Sequence, residues 1–478
     1  MIKSVIKKLL KLKQRNLKII LAKDIEDNNG IDLTCLHDQT EKINNLPEIK
    51  YRRKISRIDD ATAYHSQWLN DQQALIKSPF SEKMIKPVAC YIPYIDTYHC
   101  IVYEYLDQQS FYLIVGDYWY EKLALYIPRQ NQLIIKRESI IDIKEMLSLF
   151  PLYKYRSKKS NQKQTAIVLY HDHLAHHILN EINAIDALIT NNLINKIDQI
   201  YYCDKPIGEL ESIFPEVKKG KFTKVKREEL NQKSLPGNPL VLPYQTATIS
   251  DSTIRRFKDY TNRRSTSKLN SEIKKTKSQY DICIWVSIRS DNRILENQIQ
   301  LLSALYEAIT SKGKTVTYLI DGYSKPYKLS IREGNNYERA IIEEKKIAVQ
   351  LTERGIPYID LIGKPITEVL QWTSIADTYF CHSGTLHHKI SWFANIPGII
   401  HSNEHHSRLP EALLPGMTEK EWKYKPLRIP VASIKDTLSE SFGREGNLLP
   451  QKFNNYVADV ESVVDLICKI LNLINLTE

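Results

Sequence analysis

From about residue 50 to 150 the apolar positions fall into short runs rich in tyrosine and β-branched residues, CIVYEYL, FYLIVGDYWY, LALYIP and QLIIKR, separated by polar text. Runs of this length and make-up predict strands, and with them a β-containing N-terminal region over 26–160. The pattern changes near Gln164. TAIVLYHD stays apolar until it ends in polar residues, as a strand buried on both faces of a parallel sheet does. HLAHHILNEINAIDALITNN follows with apolar positions at helical spacing, then KIDQIYYCD and PLVLPYQTA as further strands. An α/β lobe is expected over 161–265.

The stretch 255–279, RRFKDYTNRRSTSKLNSEIKKTKSQ, is basic, rich in Ser and Thr and almost free of large apolar residues. It reads as an interdomain connection, partly helical at its start, with 266–279 as the linker proper. Beyond it the alternation of strand and helix is clear. YDICIWVSI, TVTYLIDG, IPYIDLIG, DTYFCHSG and IPGIIHSN predict strands, and the segments between them predict helices in which Trp372 and Trp392 take core positions. Such alternation specifies a parallel sheet with right-handed crossovers, here over 280–478. Two α/β lobes in succession imply a bilobed α/β protein with a cleft between the lobes.

Composition narrows the class. The 478 residues are 42% hydrophobic and 26% charged, the make-up of a folded globular chain of more than one domain. Seven cysteines are scattered without a CxxC pair, which fits a reducing cytoplasm better than a disulfide framework. No run approaches the roughly 18 apolar residues of a spanning helix. A net charge of +11 predicts an anionic partner, and nucleic acid, lipid headgroups and phosphorylated metabolites all qualify. Within 1–25, MIKSVIKKLLKLKQRNLKIILAK places Ile2, Val5, Ile6, Leu9 and Leu10 on one side and lysines mainly on the other. This predicts a basic amphipathic helix in peripheral contact with an anionic membrane, and a cytoplasmic protein at the inner face of the cytoplasmic membrane.

In a parallel α/β sheet ligands sit beyond the carboxyl ends of the strands. Those ends carry Arg289 and Arg293 after VSI, Asp321 and Gly322 after TYLI, and His382, Ser383 and Gly384 after DTYF. In CHSGTLHHK, Ser383 and Gly384 form the turn into a helix that Thr385 begins, and the free amides there with the helix dipole make an anion site. His387, His388 and Lys389 could add donors to a diphosphate, and the fork of arginine suits phosphate. Neither GxxxxGK[ST] nor GxGxxG occurs, and no DxD pair is placed to hold a metal on a nucleotide. The run HSNEHHSR, 401–408, is either a donor contact or a polar loop.

The stretch YHDHLAHHILNE, 170–181, ends the first strand of the upstream lobe and opens a helix. His173 and His177, and His177 and Glu181, are spaced i to i+4, so one face presents imidazole and carboxylate together. Either Glu181, or His177 supported by it, could take a proton from a hydroxyl nucleophile. The same stretch has a zinc reading, because HxHxxH over 171–176 follows an apolar strand as in metallo-hydrolases. Ala175 stands where that motif carries an aspartate. A third reading, a basic nucleic-acid-binding protein, rests on the Lys/Arg text of 216–277, without a recognisable module.

HDHLAHHILNE and ADTYFCHSGTLHHKISWFAN resemble elements of bacterial surface-polysaccharide glycosyltransferases of the two-lobed GT-B kind, around glycosyltransferase family 61; SIRSDNRILENQ and YLIDG are similar to the donor lobe of such enzymes. The resemblance covers roughly 165–405. It departs where that group shows His-Gly and this chain has His382-Ser383-Gly384. The resemblance implies two Rossmann-like lobes with a cleft, and an inverting, metal-independent transfer from a nucleotide-sugar donor, bound by the C-terminal lobe, to a glycan or lipid-linked glycan of capsule, lipopolysaccharide or exopolysaccharide. It implies no further cofactor and no nucleic acid. His173, His177 and Glu181 are the catalytic candidates, and Arg289, Arg293, Asp321, His382, Ser383, Gly384, Thr385, His387 and Lys389 the donor-binding ones.

Overall fold

The computed structural model describes residues 18–21, 69, 74–92, 100–116, 121–135, 161–171, 173–203, 205–226, 229, 235, 239–242, 244, 246, 249–327, 331–408, 424–437 and 453–472. The amphipathic helix expected over 1–25 lies mostly outside them. Its one described piece corrects the expectation: Lys18–Leu21 is a strand, β1, running parallel to Gln132–Ile135. The β-branched pair Ile19 and Ile20 lies in register with Leu133 and Ile134, and sheet pairing overrides the helical spacing there.

The chain divides into two compact units. The first comprises Met1–Asp172, His176–Asp204 and Phe214–Thr248; the second comprises His173–Ala175, Lys205–Ile213 and Ile249–Glu478. The β-rich region and the strands expected over 161–241 therefore belong to one unit, and residues 249–265 go with the other.

In the first unit, β2 (Ile76–Lys77) and β3 (Met84–Ile85) form a small hairpin. β4 (Ala89–Tyr91), β5 (Cys100–Leu106), β6 (Ser110–Gly116), β7 (Glu121–Ile127) and β8 (Gln132–Ile135) pair antiparallel in sequence, and β1 adds parallel to β8. The second sheet holds β9 (Asn161–Leu169), β10 (Gln199–Tyr202), β11 (Phe222–Lys224) and β12 (Pro239–Val241), all parallel, in the order β11-β10-β9-β12. The Tyr103 hydroxyl on β5 donates to the Val241 carbonyl on β12 at 2.7 Å and joins the two sheets.

In the second unit, β13 (Ile282–Ser287), β14 (Val316–Asp321), β15 (Tyr358–Asp360), β16 (Thr378–His382), β17 (Gly398–His401) and β18 (Leu427–Arg428) form a parallel sheet in the order β15-β14-β13-β16-β17-β18. β19 (Ile434–Thr437) and β20 (Asn455–Ala458) pair antiparallel beside it. Alternate residues of β13 feed opposite faces. Ile282, Ile284 and Val286 join a core with Leu301, Leu305 and Ile467, whereas Cys283 and Trp285 join one with Trp372 and Ile390. Burial on both faces explains why the strands read as unbroken apolar runs. Counted from β13, the order is that of a doubly wound sheet, and it reverses between β13 and β16; the smaller parallel sheet likewise reverses between β9 and β12. Ligands in such sheets bind at that reversal, beyond the carboxyl ends.

The stretch expected to connect the lobes is helical. Asp251–Arg263 and Ser267–Gln279 are helices, capped by the Ser250 and Thr266 hydroxyls, which accept from Thr253 N–H at 3.1 Å and Leu269 N–H at 3.2 Å. Their buried stripes are narrow: Ile254, Phe257 and Tyr260 on the first, Leu269 and Ile273 on the second. Few apolar residues suffice because they recur every three or four positions, which overall composition conceals.

Candidate active site

At the reversal of the six-stranded sheet, β13 ends in Ser287 and runs into the segment 289–293. Arg289 donates to Asp291 through Nε at 2.7 Å and Nη2 at 3.3 Å, and through Nη2 to Asn292 Oδ1 at 2.9 Å. The same Asn292 oxygen accepts from Arg293 Nε at 3.2 Å, so one neutral acceptor holds both guanidiniums. Arg293 sits at φ 53°, a conformation uncommon outside glycine, and its N–H donates to the Phe453 carbonyl at 3.3 Å. Burial, with the adjacent Arg289 charge, pushes its guanidinium down to about 10, which leaves it cationic at neutral pH. No carboxylate pairs with Arg293 in an ion pair among the described residues.

β16 contributes the other side. Ser383, Gly384 and Thr385 are half-buried at the start of the helix Thr385–Ala394. Gly384 has φ 115° and ψ −152°, a region that only glycine occupies without strain. Its N–H donates to His387 Nδ1 at 3.0 Å. Two of the expected donors are enclosed here. His387 is a buried cap on its own helix start, and burial pushes its imidazole down to about 3, so the ring is neutral. His382 is buried as well. Its N–H donates to Ser287 Oγ at 2.8 Å, its Nδ1 lies 3.1 Å from the same oxygen, and its ring sits 4.3 Å from that of His401. Burial, reinforced by His401, Arg289 and Arg293, holds it well below the usual imidazole range.

Lys389 and Asp321 are enclosed in the same way. Lys389 is 4% exposed and donates to Asp321 Oδ1 at 2.9 Å, the Gly322 carbonyl at 2.7 Å and Ser324 Oγ at 2.9 Å. An enclosed ammonium with all three protons given away has none left for a ligand. Glu344, also enclosed, accepts from Tyr323 N–H at 2.7 Å, close enough to Gly322 that a Cβ there would stand 2.2 Å from Glu344 Oε2.

The helix after β9 runs as Leu174–His176, a π-helical stretch His177–Ile182, and Asn183–Thr190, with His176 onward in the first unit. A π stretch frees a carbonyl from the α ladder, and such stretches recur at functional sites. Thr246, which follows β12, takes up the slack. Its Oγ1 donates to the Leu179 carbonyl at 2.6 Å and accepts from Asn183 Nδ2 at 3.1 Å, and its carbonyl accepts from Asn180 Nδ2 at 2.6 Å. His177 Nδ1 lies 2.9 Å from Glu181 Oε2, and Glu181 Oε1 accepts the His171 N–H at 2.7 Å. The pair the spacing predicts is formed, but at 0% and 1% exposure it is an internal brace. His173 is the exposed imidazole of the stretch; it falls to the second unit, with Nε2 3.1 Å from Thr385 Oγ1.

The zinc ligands do not converge. His176 Nδ1 faces Asn180 Oδ1 at 2.9 Å, its ring stacks on His171, and no three of His, Cys, Asp and Glu are grouped for a metal among the described residues. Sequence reading had His401 only as the start of the run 401–408, and it missed Ser287, Asn292, Glu344, Thr246 and Tyr456, whose hydroxyl meets His401 Nδ1. Of these only Ser287, at a strand end, carried a signal that could have found it.

No family model matches the chain, and no curated protein does. Among solved structures it is similar to a point mutant of Staphylococcus aureus TarM in complex with fondaparinux, alpha-GlcNAc-glycerol and UDP, at 10% identity over 95% of this chain and 85% of that chain, with a TM-score of 0.22. A likeness at that score carries no argument about fold or chemistry.

Proposed function

We propose that the protein is a glycosyltransferase that moves a sugar from a nucleotide-sugar donor to a surface glycan, with inversion and without a metal. The observation that carries this reading is the company at the reversal of the six-stranded sheet: Arg289, Arg293 and the helix start at 383–385. Guanidiniums and open helix amides are the groups that stabilise charge developing on a departing diphosphate. The resemblance of HDHLAHHILNE and ADTYFCHSGTLHHKISWFAN to surface-polysaccharide transferases supplies the acceptor class, and the basic N-terminal text supports a lipid-linked acceptor at the inner face of the cytoplasmic membrane.

Transfer to a hydroxyl needs a group to receive its proton. His177 and Glu181 are enclosed, so the role passes to His173, the exposed imidazole beside Thr385. His177 and Glu181 then brace the helical segment of their own unit.

The test is release of nucleotide from UDP-, GDP-, CMP- and dTDP-sugars by the full chain, with an acceptor glycan extract and with or without EDTA. Turnover of one donor, indifferent to EDTA, is expected. His173→Ala should lower kcat about a hundredfold or more, the range of general-base losses, and Arg293→Ala should raise the donor KM. Turnover that EDTA abolishes would overturn the metal-independent mechanism. No donor consumed with acceptor present would overturn the transferase.

A further inference from the structure

Lys389 lies in the second turn of the helix that follows β16, and its three acceptors, Asp321, Gly322 and Ser324, lie at or just past the end of β14. In the sheet, β14 and β16 flank β13. The ammonium therefore ties together the two segments on either side of the strand from which Arg289 and Arg293 emerge. The tie is specific in its donors and acceptors. All three protons of the ammonium are spent, one partner is a carboxylate with no exposure, and another is a backbone carbonyl that fixes the course of the chain after β14. Burying a charge carries a desolvation cost that pairing and hydrogen bonds at best offset. A methionine in place of Lys389, facing an apolar partner, would fill the same volume without that cost, so the ion pair serves geometry better than it serves stability.

We propose that Lys389, with Asp321, is a positioning residue of the donor site: it sets the helix start 383–385 against the two arginines and does not touch the ligand. This rests on the reading that the reversal of the six-stranded sheet binds a nucleotide diphosphate. Binding of that kind depends on placement, and a displacement of about an ångström in a supporting element can cost roughly a hundredfold.

A ligand and a positioning residue respond differently when the partner carboxylate is removed. Were Lys389 a direct phosphate ligand, Asp321→Asn would release it and leave binding intact or tighter. As a positioning residue it loses its anchor, so Asp321→Asn weakens binding as Lys389→Met does, and the double variant is no worse than the poorer single one.

The measurement is calorimetric titration of the full chain and its variants with inorganic pyrophosphate and with UDP, GDP, CDP and dTDP, alongside unfolding midpoints and the KM and kcat for the donor. Both single variants are expected to weaken binding at least about tenfold and to raise KM more than they lower kcat, with the double variant equal to the worse of them. A single variant left with a buried, unpaired charge could fail to fold. Ser324→Ala, which removes one neutral acceptor, and the double variant, which removes both charges, then carry the test, each expected to weaken binding at an unchanged unfolding midpoint.

Loss in Lys389→Met with retention in Asp321→Asn would make Lys389 a ligand and overturn the proposal. Unchanged affinity in every folded variant would overturn it too. If the unaltered protein binds neither pyrophosphate nor any of the nucleotides, the donor site itself falls, and the positioning role with it.

Discussion

Glu344 shows how far burial moves a side chain from what its type suggests. Its carboxyl is pushed up to about 8 by burial, with the nearby Asp321 and Asp291 charges adding to the rise and the Tyr323 N–H and Lys389 opposing it. An acid raised on folding binds more protons folded than unfolded. Its contribution to stability is full below its ordinary value of 4.5 and is lost as pH rises through about 8. Glu344→Gln removes the titrating group. Relative to this variant, the unaltered protein is expected to lose stability steadily from about pH 5 to about pH 8, by about 1 kcal/mol or more; urea unfolding across that range measures it, and parallel profiles would contradict the assignment. The arginines and the 383–385 turn were legible as candidates because any polar residue at the carboxyl end of an apolar run meets the ligand side of a parallel sheet. Lys389, Asp321 and His387 looked the same on that criterion. Enclosure separates them, and enclosure depends on what packs above.

At the scale of elements, the helix after β9 was legible in type but not in geometry. Its apolar spacing predicts an α-helix, whereas His177–Ile182 is π-helical and depends on Thr246, far along the chain. Thr246→Val keeps the shape and removes the hydroxyl that serves Leu179 and Asn183. Leaving those buried groups unserved is expected to cost about 1–3 kcal/mol. An unchanged denaturant midpoint would show that the π stretch stands without Thr246. The helices Asp251–Arg263 and Ser267–Gln279 make the complementary case. Their text looked like linker because serine, threonine and lysine dominate it, yet each has an N-cap and a stripe of two or three apolar residues that packing against its own unit completes.

On the scale of the molecule, the partition into units follows closed cores more than runs of sequence. The two core clusters of the six-stranded sheet draw all their buried members from residues 269–468. A fragment of 249–478 is therefore expected to unfold in one cooperative transition, at a lower midpoint than the full chain because Tyr260 loses the Ile207 carbonyl that its hydroxyl meets at 3.1 Å. A broad, non-cooperative transition would show that Lys205–Ile213 is indispensable to the unit.

Periodicity alone was enough for most of the strands and helices of 280–401 and for the parallel character of two sheets, because period and strand burial are local properties written into every few residues. Net charge, likewise additive along the chain, was legible from a count. The order in which the strands lie, the reversal between β13 and β16, the brace of His177 on Glu181 and the enclosure of Lys389 were decided only when distant segments met. Each depends on contacts between residues whose separation in the chain carries no periodic signal, and there the free energy of burial and hydrogen bonding, not local propensity, selects the neighbour.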